Sequence, residues 1–223
     1  MERAEIRLQH FAFFEELAGV EGENTPEWST TSAGLLTLRY FDAWLLDKTH
    51  PVRSDSWGLR LLRRRVSEID DGSPIKALLG GILDAMSSAD RVRPAAVAPR
   101  LMAYARALQF DAKWALAADV YGTVISCADS VADTDLVISA HMQLGACWRV
   151  LARWEEAVRA YEFAGLVAES AGDVMNVLRA RIAEANLATD RGNLPLAEEI
   201  LDETIVMARD PDLTEVRSIA LQD

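Results

Sequence analysis

The stretch LGACWRVLARWEEAVRAYEFA, residues 144–164, decides the fold. In it Gly145, Trp148, Ala152, Ala157, Tyr161 and Ala164 place small and bulky side chains in a fixed order, and that order returns along the chain. Ala77, Ala117, Ala157 and Ala197 recur at one constant interval, each with a small residue five positions earlier: Gly72, Ala112, Ala152 and Gly192. Tyr121, Tyr161 and Leu201 lie four positions after the last three of these alanines. Upstream, Ala105, Gly145 and Ala185 share a small position, and Leu108, Trp148 and Ala188 follow it by three. A period of this length, with small residues held at fixed places, signals stacked helical hairpins, each too small to bury its apolar face alone.

Outward from this stretch the chain divides into helices. An amphipathic helix is expected over 3–19, with Ile6, Phe11, Phe14 and Leu17 near one face. Thr25 caps and Pro26 opens a long helix ending near Lys48, apolar over so much of its surface that it needs cover on more than one side. Ser54 or Asp55 starts a helix to Glu68, and Asp71-Gly72-Ser73-Pro74 turns the chain into another over 75–88. Three regular hairpins then pair 95–110 with 113–129, 135–151 with 154–170, and 174–190 with 194–208. A last helix is expected from Thr214. Strand signals are nearly absent, so the chain reads as all-α. Residues 1–57 form a helical capping region, 58–94 a degenerate repeat, 95–210 three regular repeats, and 211–223 a cap helix or the start of a cut repeat.

These repeats resemble the tetratricopeptide family, on Leu144-Gly145, Trp148, Ala152, Ala157, Tyr161 and Ala164, and next on Gly192, Ala197 and Leu201. Thr204 stands where the best copy has Ala164, and no proline closes the repeat after Tyr161. The family period is about 34 residues, so the longer one here implies an extra helical turn or a longer loop. The resemblance implies a right-handed superhelical α-solenoid of antiparallel hairpins, with an irregular helical cap at its N-terminal end. It also implies a concave groove lined by the first helices, carrying Met102, Arg106, Gln109 and Phe110, then Met142, Gln143, Ala146 and Arg149, then Arg179, Ile182, Asn186 and Asp190. The lysine and asparagine clamp with which related domains hold a C-terminal carboxylate is not matched.

Composition limits the function classes. The net charge is −12, and residues 101–223 hold 10 Lys+Arg against 20 Asp+Glu, so the repeats repel nucleic acid. Arg60, Arg63, Arg64 and Arg65 form a local basic run, read either as a solvated face paired with Glu68, Asp70 and Asp71 or as a docking patch for an acidic partner. No apolar run approaches the roughly 20 residues of a membrane span, and no signal-peptide core is present, so a cytoplasmic location is expected. Cys127 and Cys147 read as reduced, half-buried small hydrophobes.

The motifs of zinc, acyl-transfer, phosphate and redox chemistry are missing, and His10, His50 and His141 have no ligand partner one turn away. Asp133 and Asp135 before a helix, and Asp70 and Asp71 before a turn, read as caps rather than a carboxylate dyad, and Gly80-Gly81 as a place where helices approach closely. No catalytic residue, metal or cofactor is expected. The leading reading is a non-catalytic interaction scaffold that holds a partner peptide or helix in its groove. The alternative is a self-assembly element that pairs two copies through terminal helices, for which Leu213, Val216 and Ala220 supply an apolar stripe.

Overall fold

Residues 13, 14, 17, 25–46, 57–87, 94–129 and 132–208 are described in the computed structural model of the chain, and every regular element among them is helical. The chain forms two units, Met1–Val131 and Ala132–Asp223. The first holds α1 (Pro26–Leu46), α2 (Trp57–Ser67), α3 (Pro74–Ser87), α4 (Pro94–Phe110) and α5 (Trp114–Asp129). The second holds α6 (Thr134–Val150), α7 (Trp154–Ala171), α8 (Val174–Asp190) and α9 (Leu194–Met207). Within each unit a helix packs mainly on its neighbour in sequence, while α1 also meets α3 and α5, and α6 also meets α8. The arrangement is consistent with a helical array.

The turns have one recurring feature. Ala112, Ala132, Ala152, Gly172 and Gly192, evenly spaced at half the repeat period, all adopt positive φ between 54° and 76°. A residue in the left-handed region reverses the chain just past a helix end, and the next N–H reaches back to a free carbonyl of the last turn. Lys113 donates to Leu108, Arg153 to Trp148, Asp173 to Ala168 and Asn193 to Ala188, at 2.8–2.9 Å. The following helix is then capped from its own side: Asp133, Asp173 and Asn193 accept the N–H of Leu136, Asn176 and Leu196. Asp133 is thus the cap, and Asp135 lies in the first turn. The turns are short, so the period is filled by the helices from α4 onward, which range from 14 residues in α9 to 18 residues in α7. The length of the sequence period therefore lies in the helices and not in the loops. Gly72 does not join this series; its N–H is taken by Asp70 Oδ1 at 2.7 Å.

Between the turns, the small positions set how closely helices approach. A Cβ on Gly145 of α6 would lie 2.5 Å from Cε1 of Tyr161 on α7, so the tyrosine ring rests directly on the glycine backbone. Ala157, fully buried, completes this contact in a cluster with Tyr161 and Leu187, flanked by Met142, Trp148 and Trp154. Arg153 in the turn covers the Trp148 ring at 5.3 Å. Thr204, at the place of Ala164, is also buried, and its hydroxyl is satisfied by donating to the Ile200 carbonyl at 2.7 Å.

In the first unit, Thr25 Oγ1 accepts the Trp28 N–H at 3.0 Å, the expected cap of α1. Leu35, Leu38 and Phe41 are buried together with the polar Thr31, Ser32 and Thr37, so α1 is enclosed on several sides. A Cβ on Gly34 would lie 2.5 Å from the Tyr104 hydroxyl and 2.6 Å from Phe14. That hydroxyl finds no hydrogen-bond partner among the described residues, and burial pushes its pKa up. The Asp119 carboxylate of α5 accepts the N–H groups of Phe13 and Phe14 at 3.2 and 3.1 Å, tying this early stretch of the chain to α5.

Two expectations are corrected. Gly80 and Gly81 lie in α3 with nothing among the described residues within 4 Å of an added Cβ, so no close approach of a described helix explains them. Cys127 and Cys147 are in no disulfide and are fully buried, not half-buried, since they fall on the inward stripes of α5 and α6. Ser54, Asp55 and the segment 211–223, with Leu213, Val216 and Ala220, lie outside the described residues, as does most of the expected first helix.

Ala157→Leu is expected to overpack the α6–α7 cluster and Gly145→Ala to push the Tyr161 ring off its seat, each lowering stability by roughly 1–3 kcal/mol. An unchanged denaturation midpoint in either variant would contradict the packing. The turns make a second, opposite prediction. Ala152→Gly relieves a left-handed alanine and should stabilise by up to about 1 kcal/mol, while Gly192→Ala should cost about as much. Urea titration of both variants checks the signs.

Candidate functional site

The residues expected in a groove fall into both units. On α4, Met102 is buried, Arg106 is exposed, and Gln109 is half-buried and accepts a hydrogen bond from the Tyr121 hydroxyl. Phe110 is 92% exposed at the end of that helix. In the second unit, Met142 packs against two core clusters and Ile182 is buried. Positions 102, 142 and 182 are therefore one repeat position that faces the core. The reason is their phase: each lies three positions before a small, buried one, Ala105, Gly145 or Ala185.

What remains of the expected groove in the second unit is a polar face on α6 and α8. Arg149 and Asp190 pair across it, Nε to Oδ2, at 3.6 Å. Arg179 is exposed, with Nη1 at 3.5 Å from Asn176 Oδ1, while Gln143, Ala146 and Asn186 are half-buried. Burial pushes the Tyr161 hydroxyl up to about 12, with Arg149 opposing and Cys147 and Asp190 adding, so this ion pair sits within electrostatic reach of the ring that packs on Gly145. The face is continuous with the hairpin core beneath it.

The basic run lies on α2. Arg64 and Arg65 both bind Glu68, at 3.2 and 2.9 Å, and Arg65 also covers the Trp28 ring at 4.7 Å. These arginines hold the Glu68 carboxyl below its usual value, the Arg65 hydrogen bond contributing most. Asp71 pairs with Lys76 at 2.6 Å rather than with an arginine. Arg60 and Arg63 are exposed on the same helix. Arg64 and Arg65 of the run are thus engaged with Glu68 on their own helix, as on a solvated face.

A second feature of Ala132–Asp223 was not anticipated. A cleft of ≈ 340 Å³ opens between α7 and α9 over α8, with Val158, Leu187, Leu196 and Ile200 as apolar walls and Glu162 and Glu184 as carboxylates. Glu184 lies between Ala180 and Ala188 on α8, a stripe whose two alanines are buried. A lone carboxylate in a buried alanine stripe is the sequence signal that would have found it. Burial raises the Glu184 pKa above its ordinary value, with Glu162 and Glu169 adding to the rise and Arg181 opposing it. Arg181 is itself held by Glu203 of α9 at 3.1 Å.

Among the described residues no group of three His, Cys, Asp or Glu side chains could hold a metal ion, and no helix is long and apolar enough to cross a membrane. Neither a scan against protein-family models nor comparison with curated proteins and with solved structures gave a match to this chain.

Glu184 yields a pH prediction. Its folded pKa lies above the unfolded one, so the folded state binds more protons between the two values and stability falls as pH rises through that window. Glu184→Gln should raise the melting midpoint near neutral pH. The gain should vanish below the ordinary value of 4.5, where both states of the wild-type residue are protonated. A pH-independent gain would place the effect in packing instead.

Proposed function

We propose that this chain is a non-catalytic interaction scaffold of the tetratricopeptide type, which holds a peptide or helix of a partner protein on the faces of its first helices. The observation that carries the reading is the side-by-side contact of α6 and α8, the first helices of two successive hairpins, joined by Arg149 and Asp190. Between them they offer fork-shaped donors at Arg149 and Arg179 beside a half-buried amide at Asn186. Guanidinium groups of this kind bind carboxylates in pairs of parallel hydrogen bonds; in the first unit, taken by itself, α4 presents an exposed Arg106 and Phe110. The partner expected on this face carries spaced carboxylates and one or two apolar side chains.

Pairing of two copies through terminal helices is the second reading. It is supported by Leu194, Val206 and Met207, which α9 leaves 45–61% exposed. The mass in solution, measured by light scattering across concentration, separates it from the first.

Replacing Arg106, Arg149 and Arg179 together by glutamine should abolish recovery of the native partner with the tagged chain. Stability should change by no more than about 1 kcal/mol, because exposed and half-exposed ion pairs contribute little. Recovery of the same partner by the triple variant would move recognition elsewhere, first to the exposed Arg60 and Arg63 of α2.

A further inference from the structure

The α7–α9 cleft carries an arrangement that the fold alone does not need. Glu184 makes no hydrogen bond or ion pair with any described residue, although it is half-buried and flanked by buried alanines. Its carboxylate is partly desolvated, and an amide side chain of similar size would fill the same place without the charge. Glu162 of α7 brings a second negative charge to the same cleft. Of the cations close by, Arg181 is bound to Glu203 and offsets Glu184 only in part, and Arg191, an exposed residue of the cleft rim, makes no ion pair with either carboxylate among the described residues.

The lining therefore joins two carboxylates to walls of Val158, Leu187, Leu196 and Ile200. A bare metal ion would gain nothing from those walls, whereas a lysine or arginine buries an aliphatic stem while its charged head reaches a carboxylate. The volume, ≈ 340 Å³, is near the lower end of ligand clefts, which suits a few side chains rather than a whole helix. The surrounding field has the matching sign, since residues 132–223 hold 8 arginines and no lysine against 17 Asp+Glu. Such a surface draws in cationic segments and steers them before contact.

We propose that the α7–α9 cleft is a docking site for a segment of a partner protein that presents an arginine or lysine flanked by aliphatic side chains. In the bound state the cation lies between Glu162 and Glu184, and its aliphatic neighbours cover Leu196 and Ile200. The proposal rests on the scaffold reading of the chain, but it uses a different face from the one bearing Arg149 and Arg179.

The test is fluorescence anisotropy on the intact chain with three labelled synthetic peptides. One alternates leucine and arginine, the second has glutamate in place of each arginine, and the third has serine in place of each leucine. The leucine–arginine peptide should bind, the glutamate peptide should not, and the serine peptide should bind at least about tenfold more weakly. Glu162→Gln with Glu184→Gln should weaken the first peptide about tenfold or more, in a protein whose melting midpoint is unchanged or higher. Removing equal charge at exposed Glu155 and Asp202, as Glu155→Gln with Asp202→Asn, should leave its affinity within about twofold.

Equal binding of the serine peptide, or equal losses in the two charge variants, would reduce the effect to general attraction by an acidic surface and overturn the site. So would a mass in solution that doubles without peptide and halves in the Glu162/Glu184 variant, which would assign the cleft to a second copy of the chain. Absence of peptide binding alongside arginine-dependent capture of a native partner would remove this cleft and leave the scaffold reading in place. Absence of both would remove both.

Discussion

The left-handed residue that ends each helix at regular intervals from Ala112 to Gly192 is the constraint on which the repeats depend. It helps fix where a helix stops, and after Ala132, Gly172 and Gly192 a side-chain cap fixes where the next begins. With both ends set, the rotational phase of the helix is set too, and the small residues at 105, 145 and 185 come to the buried side. The Tyr161 ring can then lie on Gly145, and Ala157 can close the hairpin beneath it. Two of the three intra-hairpin turns use alanine where glycine would be less strained, so the geometry is imposed by packing on either side rather than by local preference alone.

The hairpins were legible because their information is local and repeated. Gly, Ala and Tyr at fixed spacing give the turn, the contact and the period together, and the observed ends of α4 to α9 lie within a residue or so of those read from the pattern. The close contact at Gly145 follows from the same pattern. The glycine pair of α3 misled because a small residue permits close approach without requiring it, and no described residue comes within 4 Å of a Cβ at Gly80 or Gly81. Positions 102, 142 and 182 were read as outward by extrapolating a helix phase, and a small error in phase is enough to exchange a groove for a core. The link from Asp119 to the N–H groups of Phe13 and Phe14 joins distant parts of the chain and leaves no trace in any local pattern.

Helix α8 is where the chemistry of the second unit converges. It packs on α6, α7 and α9, so its sides are committed to different neighbours. One side carries Asp190, paired with Arg149, and the other carries Arg181, paired with Glu203. Glu184 is left without such a pairing. The sequence shows all of these as ordinary charges on an amphipathic helix, because charge type is visible in a sequence while the presence of a partner on another helix is not.

The two cysteines have a practical meaning beyond packing. Both thiols are fully buried, and burial pushes the Cys127 thiol up to about 12, so at neutral pH it offers almost no thiolate to an alkylating reagent or a peroxide. The chain holds no other cysteine. A single thiol introduced at an exposed place such as position 110 would therefore be modified selectively by a maleimide in the folded protein. Fluorophores or spin labels can be attached there without first replacing Cys127 and Cys147, and the native core stays intact under the spectrometer.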